Sequence, residues 1–274
     1  MNYNIKYLIM LTFLSLSSCS NSDTIDNTIK IEDEEPKGNN DVLIWSDEFD
    51  EGIVPKTNKW GYDIGNGNYG WGNNELQFYT SRSENVIVAD GLLKITAKRE
   101  NYRGNNYTST RMKTQGRFSF TYGKVEVRAK LPDGSGTWPA IWMLGDNITS
   151  VGWPACGEID IMEHVGNRPG WPSSAIHNPA GYAGGYFGHE QYIADVTSEF
   201  HVYGILWTTE KIEFTVDNVV HFTYNPAVKD NNNWPFKAKQ FLIINIAMGG
   251  NLGGTIPSSF TDSTMEIDYV RVYQ

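Results

Sequence analysis

The stretch Lys124-Val125-Glu126-Val127-Arg128-Ala129-Lys130-Leu131 sets the fold class. Val125, Val127, Ala129 and Leu131 fall on one face of an extended chain, and Lys124, Glu126, Arg128 and Lys130 fall on the other. A period of two with one apolar and one charged face belongs to a strand with a dry and a wet side. Pro132-Asp133-Gly134 ends it. Outward in both directions the pattern returns, at residues 92–98, 202–208, 212–216, 219–224, 241–247 and 265–273, and Asp217-Asn218 has the chemistry of a tight hairpin turn. No segment sustains a helical period and no repeat is present. Many short strands in about 230 residues therefore predict an all-β fold, a two-sheet antiparallel sandwich rather than a propeller or solenoid.

Composition agrees with that class. The 274 residues include 9 Trp, 15 Tyr and 27 Gly, which disfavours long helices and coiled coils. Acidic residues outnumber basic ones, 32 to 22, and a formal charge of −10 offers no footprint for a phosphate backbone, so nucleic acid is not an expected partner. Cys19 and Cys156 are the only cysteines, so no disulfide framework supports the fold. A small buried filler is the reading for Cys156, with a reactive thiol as the alternative.

The N-terminus reads differently. Lys6 precedes an apolar stretch, residues 7–16, that is too short for the ~20 residues a membrane span needs. Leu16-Ser17-Ser18-Cys19 closes it and resembles the bacterial lipoprotein signal, in which the cysteine is lipidated. Residues 1–19 are thus expected to be a lipoprotein signal that anchors the chain to a membrane of a bacterial cell envelope through Cys19; a plain secretory signal is the alternative. Residues 20–41 hold seven acids, two lysines and no aromatic, and read as a disordered tether. Residues 42–274 form the folded domain.

The densest chemistry lies at Gly157-Glu158-Ile159-Asp160-Ile161-Met162-Glu163-His164. Carboxylates are depleted in strands, so three of them in six positions need a reason. Glu158 and Asp160 share a face, but the period of two sends Glu163 to the opposite side. One extra residue between Asp160 and Glu163, a β-bulge, would bring all three together. Glu158 and Glu163 would then be about 13 Å apart at their Cα atoms, at ~3.3 Å per residue. Leaning side chains could close that to about 5 Å, the separation of the two carboxylates in a retaining glycosidase. Asp160 between them could hold the nucleophile in orientation. A solvent-facing acidic strand or a metal site is the competing reading, although no second His sits at ligand spacing to His164.

At this point the sequence resembles a known family. Glu-Ile-Asp-Ile-Met-Glu is similar to the bulged signature of glycoside hydrolase family 16, and the surrounding text to its bacterial laminarinase (endo-1,3-β-glucanase) branch. The supporting segments are WSDEFD (45–50), GWGNNELQFYT (70–80), RFSFTYGKVEVRAKLP (117–132), GTWPAIWMLG (136–145), GWPACGEIDIMEHVG (152–166) and IDYVRVYQ (267–274). The resemblance implies a β-jelly-roll sandwich with a concave sugar-binding cleft, and hydrolysis of β-1,3-glucan with retention. It also implies Glu158 as nucleophile, Asp160 as helper, Glu163 as acid/base, and no catalytic cofactor. Mixed-linkage glucan or a galactan such as agar remains an alternative substrate, and a non-catalytic glucan-binding protein the alternative class. A monomer is expected.

Sugar rings stack their C–H faces on indoles. Trp71, Trp138, Trp142, Trp153 and Trp171 lie on segments flanking the carboxylates, whereas Trp45, Trp60 and Trp207 read as core. Trp138 and Trp153 are expected as cleft rings and Trp142 nearer the catalytic floor, with Pro139 leaving the regularity of their strand open. The resemblance adds Asn73, Arg111, His164 and His177 near the cleft; Asn73 could instead be a turn residue and Arg111 a surface ion-pair partner. The glycine-rich aromatic segment 178–191 reads as a mobile loop without an assigned role. Finally, the resemblance implies a structural calcium ion at Glu48, Gly91 and Asp268, whose oxygen ligands suit that ion.

Overall fold

Alternating apolar residues fold into strands because each strand can bury one face against a second sheet. The computed structural model describes residues 42–274, so Cys19 and the 20–41 tether lie outside the described residues. The chain begins with β1 (Leu43–Asp47), β2 (Gly61–Asp63), β3 (Gln77–Tyr79), β4 (Val86–Ala89), β5 (Leu92–Tyr102) and β6 (Asn105–Ser109). It continues through β7 (Arg111–Lys113), β8 (Gly123–Lys130), β9 (Thr137–Gly145), β10 (Glu158–Glu163), β11 (Ser173–His177) and β12 (Phe187–Glu190). The last strands are β13 (His201–Trp207), β14 (Ile212–Val216), β15 (Val219–Tyr224), β16 (Gln240–Met248) and β17 (Asp262–Tyr273).

Two sheets result. One runs β15-β14-β13-β8-β17-β5-β6-β3, with β1 added to β17 and β4 to β5; the other runs β12-β11-β10-β9-β16-β7-β2. This is the all-β two-sheet sandwich that the alternation predicts and the jelly roll that the resemblance implies, with one difference: β3 pairs with β6 in parallel. Asp217 and Asn218 both take positive φ, 51° and 65°, at the β14–β15 turn, as a two-residue hairpin of that type requires. Among the described residues the α-helical content is two four-residue turns, Ile148–Val151 and Gly250–Gly253, and no helix is long and apolar enough to cross a membrane.

The core lies between the sheets. Val125, Val127 and Ala129 of β8 are fully buried with Leu242, Ile244 and Ile246 of β16, and Trp60 and Trp207 join them. β9 stays regular through Pro139, which pairs with Ile246. Its missing N–H is harmless because β10 has ended at that level, where the Pro139 carbonyl accepts from the His164 amide. The order of β11, β10, β9 and β16 places four adjacent strands under the site described next.

Candidate active site

β10 carries the site because its ladder slips. Asp160 pairs with Trp142 of β9, but the next pairs are Met162 with Ile141 and Glu163 with Ala140. On the other edge the register breaks over the same stretch, from Asp160–Ala175 to Glu163–Ser173. The extra residue sends both Ile161 and Met162 into the core beside Ile159, while Glu158, Asp160 and Glu163 share the opposite face. The bulge that the three carboxylates predict is present. Gly157 leads into it at φ 76°, where a Cβ would lie 2.8 Å from the Phe236 ring.

Each outer carboxylate has its own indole donor. Trp153 Nε1 donates to Glu158 Oε2 at 2.6 Å, and Trp138 Nε1 donates to Glu163 Oε1 at 2.9 Å. Asp160 lies within hydrogen-bond reach of the Glu158 carboxyl. His177, opposite Glu158 on β11, brings Nε2 to 3.3 Å from Asp160 Oδ2, off the hydrogen-bond direction, so that buried oxygen has no donor among the described residues. Burial is the main cause raising all three carboxyl pKa values. Glu158 reaches about 8, with Asp160 and then Glu163 adding repulsion, and with His177 first and the Trp153 hydrogen bond second opposing it. Asp160 is raised well above its ordinary range by burial and by the Glu163 charge. Glu163 is raised by burial, against the Trp138 hydrogen bond. The cluster therefore retains protons at neutral pH that three exposed carboxylates would lose.

Trp142 stands beside Asp160 by cross-strand pairing and donates Nε1 to Asn245 Oδ1 at 2.7 Å. From Asn245 a polar chain continues to the Tyr79 hydroxyl, 3.1 Å away, and then to Glu75, which also accepts from Gln77 at 2.6 Å. Asn73 sits on the Gly70–Asn74 turn and hydrogen-bonds Glu75, so its turn role is real. Arg111 lies between the Trp71 and Trp142 rings, 4.7 and 4.8 Å from their centroids, and pairs with Asp63 at 3.1 Å. It is mostly buried in that stack rather than a surface partner.

Two expectations need correction. Trp138 is only 9 % exposed and offers Glu163 its N–H rather than an open stacking face; Trp153, 45 % exposed, is the open ring. His164 is 1 % exposed and Asp133 is its charged neighbour, so it packs in the wall instead of reaching sugar. Its place next to Glu163 misleads, because alternation turns it to the other side. Cys156 is buried, its thiol pushed up to about 11 by burial first and the Glu158 charge second, in keeping with a filler.

The 178–191 segment contributes more than its text suggested. Tyr182 packs edge-on against Trp153 at 5.4 Å, Tyr186 lies 5.5 Å from His177, and β12 extends the sheet beyond β11. Asn245, the one polar residue within the apolar run 241–248 of β16, was a visible signal that the sequence reading passed over. On the other sheet, Glu48 is held by Arg271 at 2.8 Å and Asp268 by Arg128 at 2.6 Å, while Gly91 turns the β4–β5 hairpin at φ 73°.

A sheet face that gathers desolvated carboxylates, indole donors and stacked aromatic rings defines a carbohydrate-active hydrolase on a jelly roll. The chain belongs to the Glycosyl hydrolases family 16, whose model matches residues 73–271. It is 45 % identical over 245 residues to a Beta-glucanase of Rhodothermus marinus, covering 85 % of each chain. The laminarinase structure from that organism superposes with a TM-score of 0.80 over 85 % of this chain and 97 % of the other. The laminarinase of Flavobacterium sp. UMI-01 is 43 % identical, with a TM-score of 0.80 over 85 % of this chain and all of the other. Glucan endo-1,3-beta-glucosidase A1 of Niallia circulans is 38 % identical over 85 % of this chain but only 38 % of its own length.

Proposed function

We propose that the chain is a retaining endo-glycosidase of β-1,3-glucan in which Glu158 is the nucleophile and Glu163 the acid/base. The bulge carries this reading, because it alone puts the two glutamates on one face with Asp160 between them. Burial raises both glutamates, so which of them ionises first has to be decided by hydrogen bonds. If Asp160 keeps its proton, the largest repulsion on Glu158 disappears, and Glu158 then has two donors, Asp160 and Trp153, that both favour its carboxylate. The Glu163 carboxyl has one donor among the described residues, Trp138, and keeps its proton for the leaving group.

In the first step the Glu158 carboxylate bonds to the anomeric carbon as the glycosidic C–O bond breaks, and Glu163 passes its proton to the departing oxygen. In the second, Glu163 takes a proton from water, whose oxygen displaces Glu158 with the configuration retained. Trp71 and Trp142, with Arg111 stacked between them, and Trp153 with the two loop tyrosines place aromatic rings along the sheet. Relatives named as laminarinase and endo-1,3-beta-glucosidase support the linkage. Measuring reducing ends on laminarin, lichenan and agarose tests the reading: laminarin should be cut fastest, with β-anomers released first. Agarose cleavage without laminarin cleavage would overturn it.

Two accessory features belong to the same reading. Glu48, Gly91 and Asp268 lie where β17 leaves β5 and takes up β1, at pairs Ile267–Leu93 and Val270–Asp47. Asp268 falls at a break in the β17–β8 register. Arg271 holds the Glu48 carboxylate and Arg128 that of Asp268; structural calcium here would take the backbone oxygens of Glu48 and Gly91 and displace Arg128 from Asp268, an oxygen-only set that suits the ion. Chelation should lower the melting temperature and leave the product pattern unchanged. Lipidation of Cys19 would hold a monomeric enzyme at the cell envelope, and Cys19→Ala should move it to the soluble fraction.

A further inference from the structure

We propose that Glu158, Asp160 and His177 form a binding site for a divalent transition cation of the zinc type, and that this ion and glucan exclude each other. One ligand atom from each residue lies within 4.8 Å of the other two. His177 Nε2 and Asp160 Oδ2, 3.3 Å apart, already match the edge of a tetrahedral zinc site, about 3.4 Å for bonds of about 2.1 Å. Glu158 would close in by a small side-chain movement.

The second observation is independent of the spacing. Among the described residues Asp160 Oδ2 is buried without a hydrogen-bond donor, and neither does His177 Nδ1 have a partner. A buried acceptor without a donor is costly, and a cation is one way to satisfy it. The imidazole decides the class of ion. Calcium and magnesium prefer oxygen-only shells, whereas zinc and copper accept mixed nitrogen and oxygen donors. Two carboxylates and a neutral imidazole also balance a double charge. Because Glu158 is the proposed nucleophile, a bound ion would block its attack; this consequence, unlike the binding itself, rests on the proposed function.

Calorimetric titration of the full chain with zinc chloride tests the site. One zinc per chain should bind, His177→Gln should weaken it about tenfold or more, and calcium should not compete. His201→Gln, whose ring lies between Asp195 and Asp217, should leave the affinity unchanged. In Glu163→Gln, which keeps all three ligands, saturating β-1,3-linked glucotetraose should weaken zinc, and zinc should weaken the sugar equally. Unchanged zinc affinity in His177→Gln, or simultaneous binding of zinc and tetrasaccharide, would overturn the proposal. If zinc binds as expected and no tetrasaccharide binds, the site stands and the glucanase reading falls.

Discussion

β8 and β10 have nearly the same pattern of apolar and charged residues and put it to opposite uses. On β8 the charges point to water and meet opposite signs: Lys124 pairs with Glu126 at 2.9 Å, Arg128 with Asp268 at 2.6 Å and Lys130 with Glu266 at 2.6 Å. On β10 the charges have one sign, are largely buried, and are met by indole N–H groups rather than by lysine or arginine. Alternation therefore identifies a strand and its faces in both cases. The sign and solvation of the charged face separate support from chemistry, since unpaired charges are retained against solvation only where a reaction uses them.

The sharpest break of this contrast is removal of the nucleophile. Glu158→Gln should cut laminarin turnover about 10⁴-fold or more while oligosaccharide still binds, as equilibrium titration would record. A mutant that still turns over polysaccharide would place β10 with β8.

Stability gives the next largest effect. Burial and the Glu163 charge hold the Asp160 pKa well above its ordinary 3.8, so the folded chain keeps a proton that the unfolded chain has released. This group's contribution is fully present below pH about 3.8 and lost as pH rises through the raised folded value. Asp160→Asn lacks that loss. Its stability relative to the parent should grow from pH 5 to pH 8, in denaturant unfolding at the two pH values. A difference independent of pH would contradict the buried cluster.

Trp138→Phe removes the N–H donated to the Glu163 carboxyl and leaves an aromatic ring in place. A hydrogen bond to a charged group is worth about 1.5–3 kcal/mol, so kcat on laminarin should fall about 10- to 100-fold. Aryl glycosides with good leaving groups, which need little acid assistance, should lose much less. An equal loss on both substrates would assign Trp138 to packing.

These effects also mark what could be read from the sequence. The strands and the bulge were legible because both are local: a period of two, and three carboxylates that fit one face only with an insertion. The partners were not. Trp138 reaches Glu163 across 25 positions, and Tyr182 and Tyr186 reach Trp153 and His177 from a loop whose composition says only that it bends. His164 shows the opposite hazard, since one step along a strand reverses the side chain. Closeness in sequence to a catalytic acid then predicts the wrong face.

The smallest effect is expected on β8 and completes the comparison. Lys130 and Glu266 are directly paired across β8 and β17, with their side chains 29 % and 22 % exposed. Water and salt screen such a pair, and holding two long side chains costs rotamer entropy, so a double-mutant cycle with Lys130→Ala and Glu266→Ala should give a coupling of about 0.2–1 kcal/mol. It should shrink further at high salt, because the Debye length falls to about 3 Å at 1 M. Laminarin turnover should not change, because the face that carries the pair is separated from the β10 carboxylates by the whole core. A coupling of several kcal/mol, or a change in turnover, would mean that charge on the solvated face reaches the site, and the division between the two strands would fail.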